Sequence, residues 1–117
     1  MTELTAQVIF DTSCRAILRQ GKAAVENGKC KYRASDGSVC AVGALIPDEV
    51  YDPRVEGCGV STITSWVPEL VPHYHLLCRL QEAHDSTLRD RGIPGWTHHV
   101  AGIAREFNLS IEVLNHV

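Results

Sequence analysis

No run of about eighteen apolar residues, the least that crosses a bilayer as a helix, occurs in this chain. The amino terminus also lacks the basic-then-apolar pattern of a secretory leader. Membrane insertion and export are therefore not expected, and a cytoplasmic protein is predicted. The cysteines agree: Cys14, Cys30, Cys40, Cys58 and Cys78 are odd in number and unevenly spaced, which does not read as a secreted disulfide framework. Free thiols are the simpler reading. No CxxC or HxxxH pair places two ligands on one turn, and His73, His75, His98, His99 and His116 form no HExxH motif, so neither a metal nor a cofactor is predicted. Repeats and linkers are missing too, which leaves residues 1–117 as a single domain.

What the chain does contain is ordinary for a globular protein, with 44% apolar residues, 21% charged residues and a net charge of −3. Residues 2–20 read as a helix, because Phe10, Cys14, Ile17 and Leu18 recur on one face, Thr2 or Thr5 suits the start and Gly21 the end. Asn27-Gly28 and Asp36-Gly37 are turn dipeptides, and the alternating stretch Cys30–Arg33 between them predicts a small β-hairpin. Ala41, Gly43 and Ala44 are small enough for a buried helical turn in close backbone contact. An ordered surface crossing follows, then a short helix over Val60–Trp66. A longer helix runs from Pro72 to about Arg91, with Leu77, Leu80, His84 and Leu88 on one stripe and Gly92 as its stop. Pro94 opens the last helix, which turns Trp96, Val100, Ile103, Ala104 and Phe107 inward, and Leu109–Leu114 alternates like a strand. The fold class predicted is α+β, predominantly helical, with a core drawn from Phe10, Ile17, Leu18, Val42, Leu45, Ile46, Leu77, Leu80, Trp96, Val100, Ile103 and Phe107.

Charge is segregated along the chain. Between Arg15 and Arg33 six basic residues face the single acid Glu26, and between Asp36 and Glu56 five acids face only Arg54. Nucleic acid is not the expected partner, since the net charge is −3 and only Tyr32 accompanies the basic segment as a stacking aromatic. The opposed segments instead predict pairing with each other or across a two-fold axis, as a homodimer or higher homo-oligomer.

Chemistry concentrates between Cys30 and Glu56. One reading makes Cys40 the nucleophile of a cysteine-dependent enzyme, acidified at a helix start and served by His84 as base. The adjacent Asp85 points about 100° away on a regular helix, so it is not expected to orient His84. The plainer reading makes Cys40 a small buried hydrophobe and His84 a hydrogen-bonded core histidine. A second functional reading takes Tyr32, Arg33, Glu56 and Asp85 as a binding set: Arg33 offers a fork for a carboxylate or phosphate, Tyr32 a ring face, and Asp85 a carboxylate that either pairs with Arg33 or stands in solvent; the plainer reading of equal weight is that Arg33 ties the hairpin to the acidic loop. Trp66 and Trp96 read as core anchors.

The same segment resembles a group of small, uncharacterised proteins encoded by tailed bacteriophages and prophages. The pattern is Cys30-Lys31-Tyr32-Arg33, Gly37, Cys40-Ala41-Val42-Gly43-Ala44-Leu45-Ile46-Pro47-Asp48-Glu49, Tyr51 and Glu56-Gly57, followed by Leu80-Gln81 and His84-Asp85. The resemblance implies a phage accessory protein in the cytoplasm of a bacterial host, where such proteins bind and inhibit or redirect a host protein or an immune signal. A non-enzymatic binder, with a small-molecule sponge counted among binders, is thus the expected function, and the Cys40–His84 enzyme the alternative.

Overall fold

The structure, a computed structural model, describes residues 4–115. The expected cap Thr2 and His116 lie outside the described residues. Helix α1 spans Ala6–Gln20; Thr5 caps it by accepting the Val8 N–H at 3.1 Å, and Gly21 closes it with φ 74°, a left-handed conformation that costs glycine least. Strands β1 (Val25–Glu26) and β2 (Lys29–Cys30) form an antiparallel hairpin. Asn27 and Gly28 both have positive φ at its tip, as a two-residue hairpin turn demands. A second turn, around Asp36-Gly37, is held by an isolated bridge between Arg33 and Val39.

Beyond it the chain is irregular, with 3-10 turns at Gly43–Leu45 and Pro53–Val55, until α2 spans Val60–Trp66. Helix α3 (Tyr74–Glu82) continues through a π-helical turn at Ala83–Leu88 into α4 (Arg89–Glu106). Gly92 breaks α4 near its start, with φ 71° and ψ −168°. This non-helical residue divides two helices, so the predicted stop at Gly92 is met. The expected strand at Leu109–Leu114 does not form: the Ser110 N–H pairs with the Gln7 side chain, and a 3-10 turn occupies Glu112–Asn115. Alternation alone could not make a strand where no edge stands alongside to pair with it.

Helix α1 packs on the Gly43–Leu45 turn, on the carboxy-terminal 3-10 turn and on α3, while α3 also meets α2 and α4. Phe10, Ile17, Val42, Ile46, Leu77, Leu80, Trp96, Val100 and Ile103 are buried at their centre. Leu18, Leu45 and Phe107 close its rim, partly buried. Trp66 is likewise partly buried, with the Arg54 guanidinium 5.8 Å from its ring. Removing one methylene from this close-packed centre is expected to be felt. Ile103→Val should cost about 1 kcal/mol in chemical denaturation, and an unchanged midpoint would place Ile103 outside the core. Among the described residues no helix is long and apolar enough to cross a membrane.

Candidate functional site

Residues 31–59 have little regular structure, yet their backbone N–H groups need acceptors when covered. Side chains supply them. Glu56 accepts the Tyr32 N–H at 2.8 Å on one carboxylate oxygen, and the Arg33 N–H at 3.0 Å and the Tyr51 hydroxyl at 2.6 Å on the other. Burial and this carboxylate push the Tyr51 phenol up to about 12, so at neutral pH it is a donor. Gln20 pairs with Val39 as a neighbouring strand would, donating to its carbonyl at 2.7 Å and accepting its N–H at 3.0 Å. Gln81 accepts the Val42 N–H at 3.2 Å from α3. Gly43 lies against the Tyr32 backbone so closely that a β-carbon would stand 2.8 Å from the Tyr32 carbonyl carbon, nearer still to its oxygen.

Pinned in this way, the crossing presents Arg33 at a hollow of about 450 Å³ that Ala34, Val39, Gly43, Ile46 and Asp48 help to line. The guanidinium donates to the Ile46 carbonyl at 2.6 Å, meets Asp48 at 2.9 Å and lies 4.6 Å from the centre of the Tyr51 ring. Its Nε is buried without an acceptor. Of the two readings of Arg33 the tie to the acidic loop is the one found, and the pairing with Asp85 is not: the Arg33 fork turns towards the acidic loop that follows Pro47, whereas Asp85 sits on the π-helical turn and lines a separate hollow of about 190 Å³ with Cys30, Tyr32, Cys58 and Gln81. The sequence placed Asp48 among the acids of that loop without singling it out as the partner of Arg33. A second ion pair, Lys22 to Asp36 at 2.6 Å, joins the same two segments, so their opposite charges meet within one chain.

The proposed binding residues thus separate by role. Tyr32 spends its ring on the core and its hydroxyl on the Cys58 carbonyl at 2.6 Å, and Glu56 spends its carboxylate on the loop. Arg33 alone reaches the larger hollow; Asp85 faces the smaller one.

The alternative pair, Cys40 and His84, is also engaged. The Cys40 sulfur is fully buried, accepts the Gly43 N–H at 3.1 Å, and burial pushes its thiol up to about 12. Burial thus outweighs the backbone donors that were expected to acidify it. His84, fully buried as well, accepts the Ala24 N–H on Nε2 at 3.0 Å. The proton of the neutral ring is then on Nδ1, which lies 2.9 Å from the Asp85 carboxylate and donates to it. That contact between neighbours was not expected. It arises because the π-helical turn is wider than an α-turn, so successive side chains diverge less. The Ser86 hydroxyl occupies the Glu82 carbonyl at 2.7 Å, an acceptor that the α-helical pattern would have given to a backbone N–H.

Cys30, His84 and Asp85 bring ligand-type atoms within 4.8 Å of one another. This donor set does not fit a metal ion. Ligation through Nδ1 would require the proton on Nε2, where it would oppose the Ala24 N–H. The Arg89 guanidinium, 4.0 Å from the Cys30 sulfur, adds positive charge at the same place.

Accessibility orders the thiols. Cys58 is exposed, Cys30 and Cys78 are half-buried, and Cys14 and Cys40 are buried. Alkylation at neutral pH is expected to follow that order, with Cys40 protected until the chain unfolds and Cys40→Ala folding normally. Native labelling of Cys40 ahead of Cys58 would contradict this. Both buried thiols are raised from 9.0 to about 12, Cys14 by burial and then by Asp11, Cys40 by burial. Folding therefore favours their neutral forms, and this stability is complete below pH 9 and is lost as pH rises towards 12. The expected slope is about 1.4 kcal/mol per pH unit for each thiol.

No protein-family model, no curated protein and no solved structure matches the chain, so any functional reading has to rest on its own residues.

Proposed function

We propose that this protein is a non-enzymatic binder, a small bacteriophage accessory protein of the host cytoplasm that captures a host protein or a small signalling molecule. The observation that carries the reading is the Arg33 hollow: at about 450 Å³ it falls within the size range of small-ligand sites. It also holds a cation whose ion-pair partner Asp48 has a side chain 94% exposed to solvent. The enzyme reading has less support, because Cys40 is buried and both ring nitrogens of His84 are committed to hydrogen bonds. The phage context rests on the sequence pattern between Cys30 and Asp85.

Native mass spectrometry of the protein isolated from a bacterial host tests the reading. A bound small molecule or host protein is expected with wild type and Cys40→Ala and is lost with Arg33→Lys. The bare chain from wild type, or loss confined to Cys40→Ala, would contradict it. Self-association as a homodimer belongs to the same proposal, carried by the opposite charges of the segments Arg15–Arg33 and Asp36–Glu56. Light scattering at micromolar protein and low salt should give the dimer mass; a monomer mass would remove that part.

A further inference from the structure

Building on that reading, we infer that the Arg33 hollow takes a small monoanion, one carboxylate or phosphodiester group on a partly apolar body, and that Asp48 is the internal stand-in the ligand displaces. An arginine edge is matched best by two oxygens on one centre, which engage Nε–H and an Nη–H in parallel. Arg33 is short of that arrangement in the free protein. Asp48 meets only its Nη2, at 2.9 Å, and its Nε is buried without an acceptor. A ligand oxyanion that used the whole edge would satisfy both nitrogens.

The exchange is permitted by the difference between the two partners. The Arg33 side chain is 24% exposed and held by the Ile46 carbonyl and the Tyr51 ring, whereas the Asp48 side chain is 94% exposed. The cation is thus fixed and its counter-ion is not. An exposed ion pair contributes little, since solvent screens it and both side chains lose freedom to hold it. Asp48 can therefore leave at small cost, while Arg33 stays aimed.

The rest of the lining sets the body and the charge of the ligand. Ala16, Ala34, Val39 and Ile46 offer apolar surface, and the glycines beside them leave room at the backbone. Among the described residues Arg33 is the only cationic one in that lining, and Lys22 is paired with Asp36. One negative charge is matched; a second would face Asp48 without a partner.

Isothermal titration calorimetry of the full chain with benzoate, the diester methyl phenyl phosphate and the neutral benzamide tests this. Benzoate or methyl phenyl phosphate, each a monoanion, is expected to bind, the stronger of the two identifying the oxyanion, and benzamide is expected to be at least about tenfold weaker. Asp48→Asn, which removes the competing charge at an exposed position, should tighten the anion at least about threefold. Arg33→Lys, which keeps the charge and loses the fork, should weaken it at least about tenfold. Equal binding of benzamide and benzoate would overturn the oxyanion assignment while leaving a binding hollow in place. Unchanged or weaker anion binding by Asp48→Asn would overturn the displacement. Silence from all three probes would overturn the inference as a whole; if Arg33→Lys still lost its bound species in native mass spectrometry, the binder reading would survive that failure.

Discussion

Gly43→Ala is expected to lower stability by at least about 4 kcal/mol, enough to unfold a marginally stable domain at ordinary temperature. The effect is unusually large for one methyl group because the obstacle is backbone. The added carbon would stand within 2.8 Å of the Tyr32 carbonyl carbon, and that peptide is itself fixed: its oxygen accepts the Cys40 N–H at 3.1 Å and its N–H, that of Arg33, donates to Glu56 at 3.0 Å. No side-chain rotation can relieve the overlap, so the crossing has to lift away from the hairpin. Chemical denaturation followed by tryptophan fluorescence measures it. Gly59→Ala, where a β-carbon meets nothing within 4 Å, is the control and should change the midpoint little.

Glu56→Ala should cost about 3 to 5 kcal/mol, since it strips acceptors from two backbone N–H groups and from a phenol in one step. Leaving a covered donor without a partner is more damaging than never having had the pair. Tyr51→Phe removes only one of the three donors and should cost about 1 kcal/mol. If the two variants melted alike, the carboxylate would not be the clamp described here. Amide exchange gives a second reading: the Tyr32 and Arg33 N–H groups should lose their protection selectively in Glu56→Ala.

Helix α1, the Asn27-Gly28 turn, the Val60–Trp66 helix and the break at Gly92 were legible in the sequence because each depends on neighbours along the chain. Apolar periodicity likewise marked Leu77, Leu80, His84 and Leu88 as one buried stripe. The candidate site was legible only in its ingredients. That Arg33 ties the hairpin to the acidic loop was one of its two readings; the choice between that loop and Asp85, and of Asp48 within the loop, depends on the path of a crossing whose shape is fixed by Glu56, Gln20 and Gln81, and long-range side-chain bonds leave no period to read. The contact of His84 with Asp85 was hidden for another reason: helical spacing assumes a regular turn, and the π-helical turn departs from it.

The reactive-looking groups Cys40 and His84 are spent on the fold, and under the function proposed above Arg33 is the group that would meet a ligand. His84 decides it, because one imidazole serves the base reading, the metal reading and the structural reading in mutually exclusive protonation states. Long-range proton–nitrogen correlation of the ring in the native protein at neutral pH measures that state directly. The proton is expected on Nδ1, shared with Asp85, with Nε2 bare and accepting the Ala24 N–H. A proton on Nε2 with Nδ1 bare would contradict the account and return His84 to the candidates for catalysis or metal ligation.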